Sequence, residues 1–116
     1  MFKAVPAIFV FSFLLVLSGC KAKAPENTQQ IVFKDGKFEP QNVSIKVDQT
    51  VNFVNQSDED IWPASNIHPT HGIYPQFDSQ KPINPGKSWS FTFTRAGTWK
   101  FHDHLQPEIT GEIKVE

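Results

Sequence analysis

The sequence predicts an all-β domain, a sandwich or barrel of about seven or eight short strands, carried behind an export segment. Three observations predict it. Apolar and polar residues alternate with period two in several short runs. Turn-forming residues punctuate those runs at short spacing. No stretch keeps a helical period of apolar residues. Alternation puts one face of each run in a core and the other in water, which is the signature of a half-buried strand.

The runs follow one another along the chain. Gln30-Ile31-Val32-Phe33 is β-branched and aromatic, and Asp35-Gly36 turns after it. Val43-Ser44-Ile45-Lys46-Val47 alternates strictly and ends at Asp48-Gln49. Val51-Asn52-Phe53-Val54-Asn55 follows, then a polar turn to Asp60. Trp89-Ser90-Phe91-Thr92-Phe93-Thr94 alternates after Asn84-Pro85-Gly86. Trp99-Lys100-Phe101-His102-Asp103 alternates after Ala96-Gly97, and Ile113-Lys114-Val115 closes the chain. Gly, Pro, Asn and Asp supply the turns because they tolerate the backbone angles that turns need. One segment breaks the rhythm. Trp62 to Pro82 contains Pro63, Pro69, Pro75 and Pro82 and little alternation. Its length marks it as a functional loop, and Trp62 and Phe77 are expected to anchor it.

The first residues have another character. Lys3 gives a basic start, and Ala4 to Leu17 is almost wholly apolar, too short to span a bilayer comfortably. Small residues Ser18 and Gly19 precede Cys20, the only cysteine. Basic start, apolar run and small residues make a secretory signal over residues 1–19. Leu17-Ser18-Gly19-Cys20 resembles the bacterial lipobox, which implies lipid on Cys20. Residues 20–30 then read as a polar tether and 31–116 as the domain. The protein is expected at the periplasmic face of an outer membrane or at the cell surface. Lys21 follows the cysteine where an inner-membrane retention signal would carry Asp.

Composition excludes several classes. The net charge is −1 and no basic patch suggests nucleic acid. With Cys20 acylated, no thiol remains for a disulfide or a thiolate ligand. No nucleophile–base pair and no glycine-rich phosphate loop is visible, so an enzyme is not the expected class.

The pattern Phe38-x-Pro40-x-x-Val43-x-Ile45-x-Val47-x-x-x-Val51-x-Phe53-x-Asn55 resembles the opening half of the cupredoxins, the plastocyanin-like domains. Pro85-Gly86, Trp89-x-Phe91-x-Phe93, Gly97-Thr98-Trp99-Lys100-Phe101-His102 and Gly111-x-Ile113-x-Val115 resemble their closing half. The resemblance implies a cupredoxin-like Greek-key β-sandwich. It also implies a blue-copper site of two His, a Cys and a weak Met. Laid on this chain, those positions carry Asp103 for the Cys, Gln106 for a His, Ile109 for the Met and Ile61-Trp62 for the first His. A type 1 copper centre is therefore not available.

The four histidines fall into two short motifs. His68-Pro69-Thr70-His71 lies in the long loop and His102-Asp103-His104 ends the penultimate strand run. Residues i and i+2 of a strand share a side, with Cα atoms roughly 6.6 Å apart, so His102 and His104 can converge on one ion. Trp99, Phe101 and Asp103 share the other parity; the aromatics are expected to face the core, so the two histidines are expected to point away from it. Residues 97–104 are also similar to the Gly-Thr-x-Trp-Tyr-His-Ser-His motif of multicopper oxidases. That similarity implies a site completed by a second copy of this single domain. Asp103 has three open roles: an inward acceptor for loop N–H groups, a carboxylate orienting a histidine, or a ligand. Asp58-Glu59-Asp60 lacks the spacing of a calcium loop and reads as a solvated turn. Trp62, Trp89 and Trp99 read as core aromatics.

The expected function is copper binding through His68, His71, His102 and His104, because Cu(II) tops the stability series for nitrogen ligands. Such a lipoprotein would sequester or deliver copper, with a copper-handling or redox protein as partner. Two other readings stand beside it: a metal-free interaction module whose copper site has decayed, and an oligomeric multicopper oxidoreductase.

Overall fold

The structure is a computed structural model that describes residues 27–116, with Ala4 alone before them. Apart from Ala4, the expected signal segment 1–19, Cys20 and the expected tether as far as Glu26 lie outside the described residues. Eight strands form the domain, and no helix occurs among the described residues. They are β1 (Thr28–Lys34), β2 (Lys37–Glu39), β3 (Asn42–Ile45), β4 (Thr50–Asn55), β5 (Pro63–Ser65), β6 (Ser88–Thr92), β7 (Gly97–Asp103) and β8 (Gln106–Val115).

Two four-stranded sheets face each other, in the orders β2-β1-β4-β6 and β3-β8-β7-β5. Strands β1 and β4 pair in parallel, as do β3 and β8, and the other pairs are antiparallel. Alternation aims Ile31, Phe33, Val51, Phe53, Phe101, Ile113 and Val115 between the sheets, where all are buried. Aromatic rings fill much of that space. Phe38 meets Phe101 edge-on at 4.9 Å between centroids, and Phe53 stacks on Trp89 at 5.6 Å. A fully buried Phe stabilises by about 1.5–3 kcal/mol.

The structure corrects several expected boundaries. The first strand begins at Thr28, two residues before the run at Gln30. Asp35-Gly36, both at positive φ, closes a tight hairpin into β2, a strand the alternation did not reveal because it is only three residues long. Strand β8 runs from Gln106 rather than Ile113. Its early part pairs with β7 through backbone bonds and needs no apolar alternation. Strand β5 lies inside the segment read as irregular. All its residues are buried, so no period two could mark it.

The long loop is packed, as its anchors predict. Residues 77–79 return alongside β5: Ser65 N–H donates to Phe77 C=O and Ser79 N–H to Pro63 C=O. Phe77 enters the core, with its ring within 6.3 Å of those of Phe53, Trp89, Phe91, Phe93 and Phe101. Tyr74 closes the neighbouring edge against Trp99 at 4.8 Å. These plugs hold the chain between residues 66 and 73 over the end of β7.

Candidate metal centre

The loop and the end of β7 bring all four histidines together. One ring nitrogen of each of His68, His71, His102 and His104 lies within 4.8 Å of the others. His71 Nε2 is 3.1 Å from His104 Nδ1, and His68 Nδ1 is 3.3 Å from His102 Nε2. Four nitrogens at about 2.0 Å from a tetrahedral ion stand about 3.3 Å apart. The donor set therefore fits one first-row ion held by nitrogen alone, within a single chain.

Local structure explains how each ring arrives. After β5 the chain makes one tight turn, closed by His71 N–H to Ile67 C=O at 2.6 Å. Three residues apart on that turn, His68 and His71 face the same side. His71 sits at φ 53°, the left-handed region, which costs a residue with a Cβ roughly 1–2 kcal/mol. On the other wall, His102 is the penultimate residue of β7. The pairing of β7 with β8 shifts register between His102 and Asp103, and His104 begins the two-residue connection to Gln106. His104 thus reaches the site from a turn, not from the extended strand that the i, i+2 argument assumed. A bulge re-aims side chains in this way. His104 N–H donates to Trp62 C=O at 2.7 Å and its ring lies 4.7 Å from the Trp62 ring.

Two histidines are oriented through their other ring nitrogen. His71 Nδ1 donates to Asp78 Oδ2 at 2.8 Å, leaving Nε2 to the cluster. His102 Nδ1 donates to Asn66 Oδ1 at 2.9 Å, again leaving Nε2. Such bonds fix the tautomer and ring angle of a ligand and raise its basicity. Asp78 is itself held by the Trp62 indole N–H at 2.6 Å and the Gln80 backbone N–H at 2.8 Å. Burial disfavours the Asp78 carboxylate, but the bonds from His71, Trp62 and Gln80 outweigh it and hold the group below its usual range.

Asp103 takes the first of the three roles left open by the sequence, an inward acceptor for loop N–H groups. It is fully buried, and its Oδ1 accepts from the N–H groups of Trp62 at 2.8 Å and Leu105 at 3.1 Å. Its Oδ2 is buried with no partner among the described residues, and burial pushes its carboxyl above the ordinary value. The position equivalent to the family's Cys is thus bound to backbone. Gln106 bonds the exposed Glu59, and Ile109 packs on the core rim. These residues do not fit a type 1 copper ion. Sequence reasoning missed Asp78 and Asn66, and took Trp62 for a core aromatic, whereas it is half-buried and links His104, Asp103 and Asp78. Asp58 to Asp60 form an exposed turn, as expected, tied by Asn84 to Asp60 at 2.9 Å.

Protonation is disfavoured at His102 and His104. Burial, then the neighbouring His71, His68 and His104 rings, push the His102 imidazole down to about 4. Burial, then the His71 and His68 rings, lower His104 as well. An unfolded histidine protonates near 6.5, so between about pH 6.5 and 4 the unfolded chain binds more protons than the folded one. Stability from His102 is therefore present above pH 6.5 and lost as pH falls, by about 3 kcal/mol between pH 7 and pH 4. Asp103 acts in the opposite sense, since its raised carboxyl favours the folded state as it protonates. Chemical denaturation of the metal-free protein at several pH values is expected to show this net loss, and His102→Leu to flatten it. Parallel pH profiles for the two proteins would remove His102 as the cause.

A two-sheet β-domain with a histidine cluster at the end of its penultimate strand is, as a class, a cupredoxin-type metal-site scaffold. A profile of the cupredoxin-like domain matches residues 7–115, and the chain belongs to that family. Among its relatives, amicyanin of Paracoccus denitrificans is 30% identical over 81 residues, which span 69% of this chain and 59% of the amicyanin. The match thus covers less than two thirds of that relative's length. Among solved structures, a reduced tryptophan-to-tyrosine variant of amicyanin superposes with a TM-score of 0.69 at 21% identity, over 81% of this chain and 87% of its own. A purple cupredoxin from Nitrosopumilus maritimus gives 0.64 at 24% identity, over 75% and 98%. At such identity these structures establish the fold alone.

Proposed function

We propose that this protein binds copper at a centre made of His68, His71, His102 and His104, and sequesters or delivers the ion at a membrane surface. The observation that carries the reading is the convergence of four imidazole nitrogens within 4.8 Å. Nitrogen-only donors favour Cu(II) over the other divalent first-row ions. Two amicyanin variants of the same fold are Cu(I) forms, which adds support.

The chain's own residues set what the centre can do. Asp78 and Asn66 present two fixed Nε2 lone pairs, and burial keeps His102 unprotonated well below neutral pH. A ligand must be unprotonated to bind metal, so the seat is ready without a proton having to leave His102. A bound copper ion would supply a charge and a one-electron couple. Without a thiolate, it would lack the intense charge-transfer band of blue centres. Ile67, Ile73 and Leu105 are three of the four large apolar side chains exposed among the described residues, and each lies within two residues of a cluster histidine. That apolar rim favours hand-over to a copper-handling protein over simple storage. Cys20 carries the lipid in this reading and holds the domain to the membrane. Mass spectrometry of the exported protein is expected to show residues 1–19 removed and Cys20 acylated.

Copper titration tests the centre. The mature protein in detergent is expected to take up one Cu(II), with weak broad d–d absorption and nitrogen hyperfine structure in its electron paramagnetic resonance spectrum. Asp103→Cys is not expected to create a blue band, since Gln106, Ile109 and Ile61-Trp62 still occupy the other family positions. An intense blue band in the parent, or no stoichiometric uptake, would sink the assignment.

A further inference from the structure

The four histidines are unequally held. His102 is 2% exposed, its backbone is paired in β7 and its Nδ1 is bound to Asn66. His71 is 5% exposed, its backbone closes the turn and its Nδ1 is bound to Asp78. His104 is half-buried against the Trp62 ring, with its backbone N–H on Trp62. His68 is exposed, as are Ile67, Pro69 and Thr70 beside it. Among the described residues, the one hydrogen bond its ring makes is within the cluster itself, to His102 Nε2.

We propose that His68 is the exchangeable ligand of this centre, and that copper enters and leaves on its side. The inference rests on the copper reading above. His71, His102 and His104 form a three-nitrogen seat, and His68 supplies a fourth bond that an incoming nitrogen donor replaces. In the exchange, the donor's lone pair bonds to the ion as the bond to His68 Nδ1 breaks. No electron is transferred, and the imidazole leaves neutral into water.

Energetics favour this order. A swinging His68 ring is rehydrated and regains rotamer freedom, and its one partner, His102 Nε2, would stay on the ion. Withdrawal of His71 would take its donor from Asp78, and withdrawal of His102 would take its donor from Asn66. Each would leave a half-buried polar group unpaired. Three protein nitrogens with one open position is also the arrangement by which metal sites admit an outside ligand.

Imidazole rescue tests the order. The full chain in detergent, as His68→Ala, is expected to keep bound Cu(II) with about tenfold or more lower affinity and to lose one nitrogen from the hyperfine pattern. Millimolar imidazole should restore both. His71→Ala is the comparison, and imidazole should not restore it, because its position is buried under the turn. In the parent, the rate of copper transfer to free histidine should rise in proportion to the histidine concentration. Equal rescue of both variants, no rescue of His68→Ala, or a transfer rate independent of acceptor would overturn the proposal. Absence of nitrogen-coordinated copper in the parent would instead overturn the copper reading itself.

Discussion

Replacing His102 and His104 together by alanine is expected to lower copper affinity by about three orders of magnitude or more, with His68→Ala/His71→Ala weakening it too. Single changes around a metal site already cost about 10–100-fold, and this pair removes two direct ligands. It also removes the nitrogens that face His68 and His71 at 3.3 and 3.1 Å, so the remaining two have no partner across the site. Competition against a chelator of known affinity measures the loss, and amide dispersion in a nuclear magnetic resonance spectrum shows whether the sandwich persists. Since β7 keeps its backbone pairing and Phe101 remains in the core, the fold should survive. Parent-like affinity in a folded double variant would return the domain to the reading of a scaffold with a decayed site.

The second large effect separates two aspartates. Asp78→Ala should lower copper affinity about 10–100-fold with modest loss of stability, because His71 loses the carboxylate that fixes its tautomer. Asp103→Ala should do the reverse. It strands the N–H groups of Trp62 and Leu105, at about 1–3 kcal/mol each, while touching no histidine ring. Asp103→Asn keeps an acceptor for both and should recover most of that stability. Denaturant midpoints and copper titrations on the three variants decide the matter. If Asp103→Ala lost copper as severely as Asp78→Ala at equal stability, the division of roles would be wrong.

Much of the fold was legible because a half-buried strand writes its burial into alternate positions. Val51-Asn52-Phe53-Val54-Asn55 and Trp99-Lys100-Phe101 show this. Strand β5 was not, since Pro63, Ala64 and Ser65 are buried throughout and present no contrast between faces. Absence of the blue-copper ligands was also legible, because a thiolate site cannot form where Asp103 stands for Cys. So was the choice of candidate ligands, since the histidines occur in two short motifs and nowhere else.

What the sequence by itself determined, then, was the strand frame and the inventory of donors. The tertiary structure alone decided which of these groups meet and which atoms they offer. His102 is oriented by Asn66, 36 positions away, and Trp62 joins Asp103 across 41. Asp78 is brought to His71 because the loop turns back along β5 and drives Phe77 into the core. The physical reason is that burial is periodic along a strand, whereas a hydrogen bond between two irregular segments repeats nothing. Its partners are chosen by where packing places the backbone, and only the folded chain carries that information.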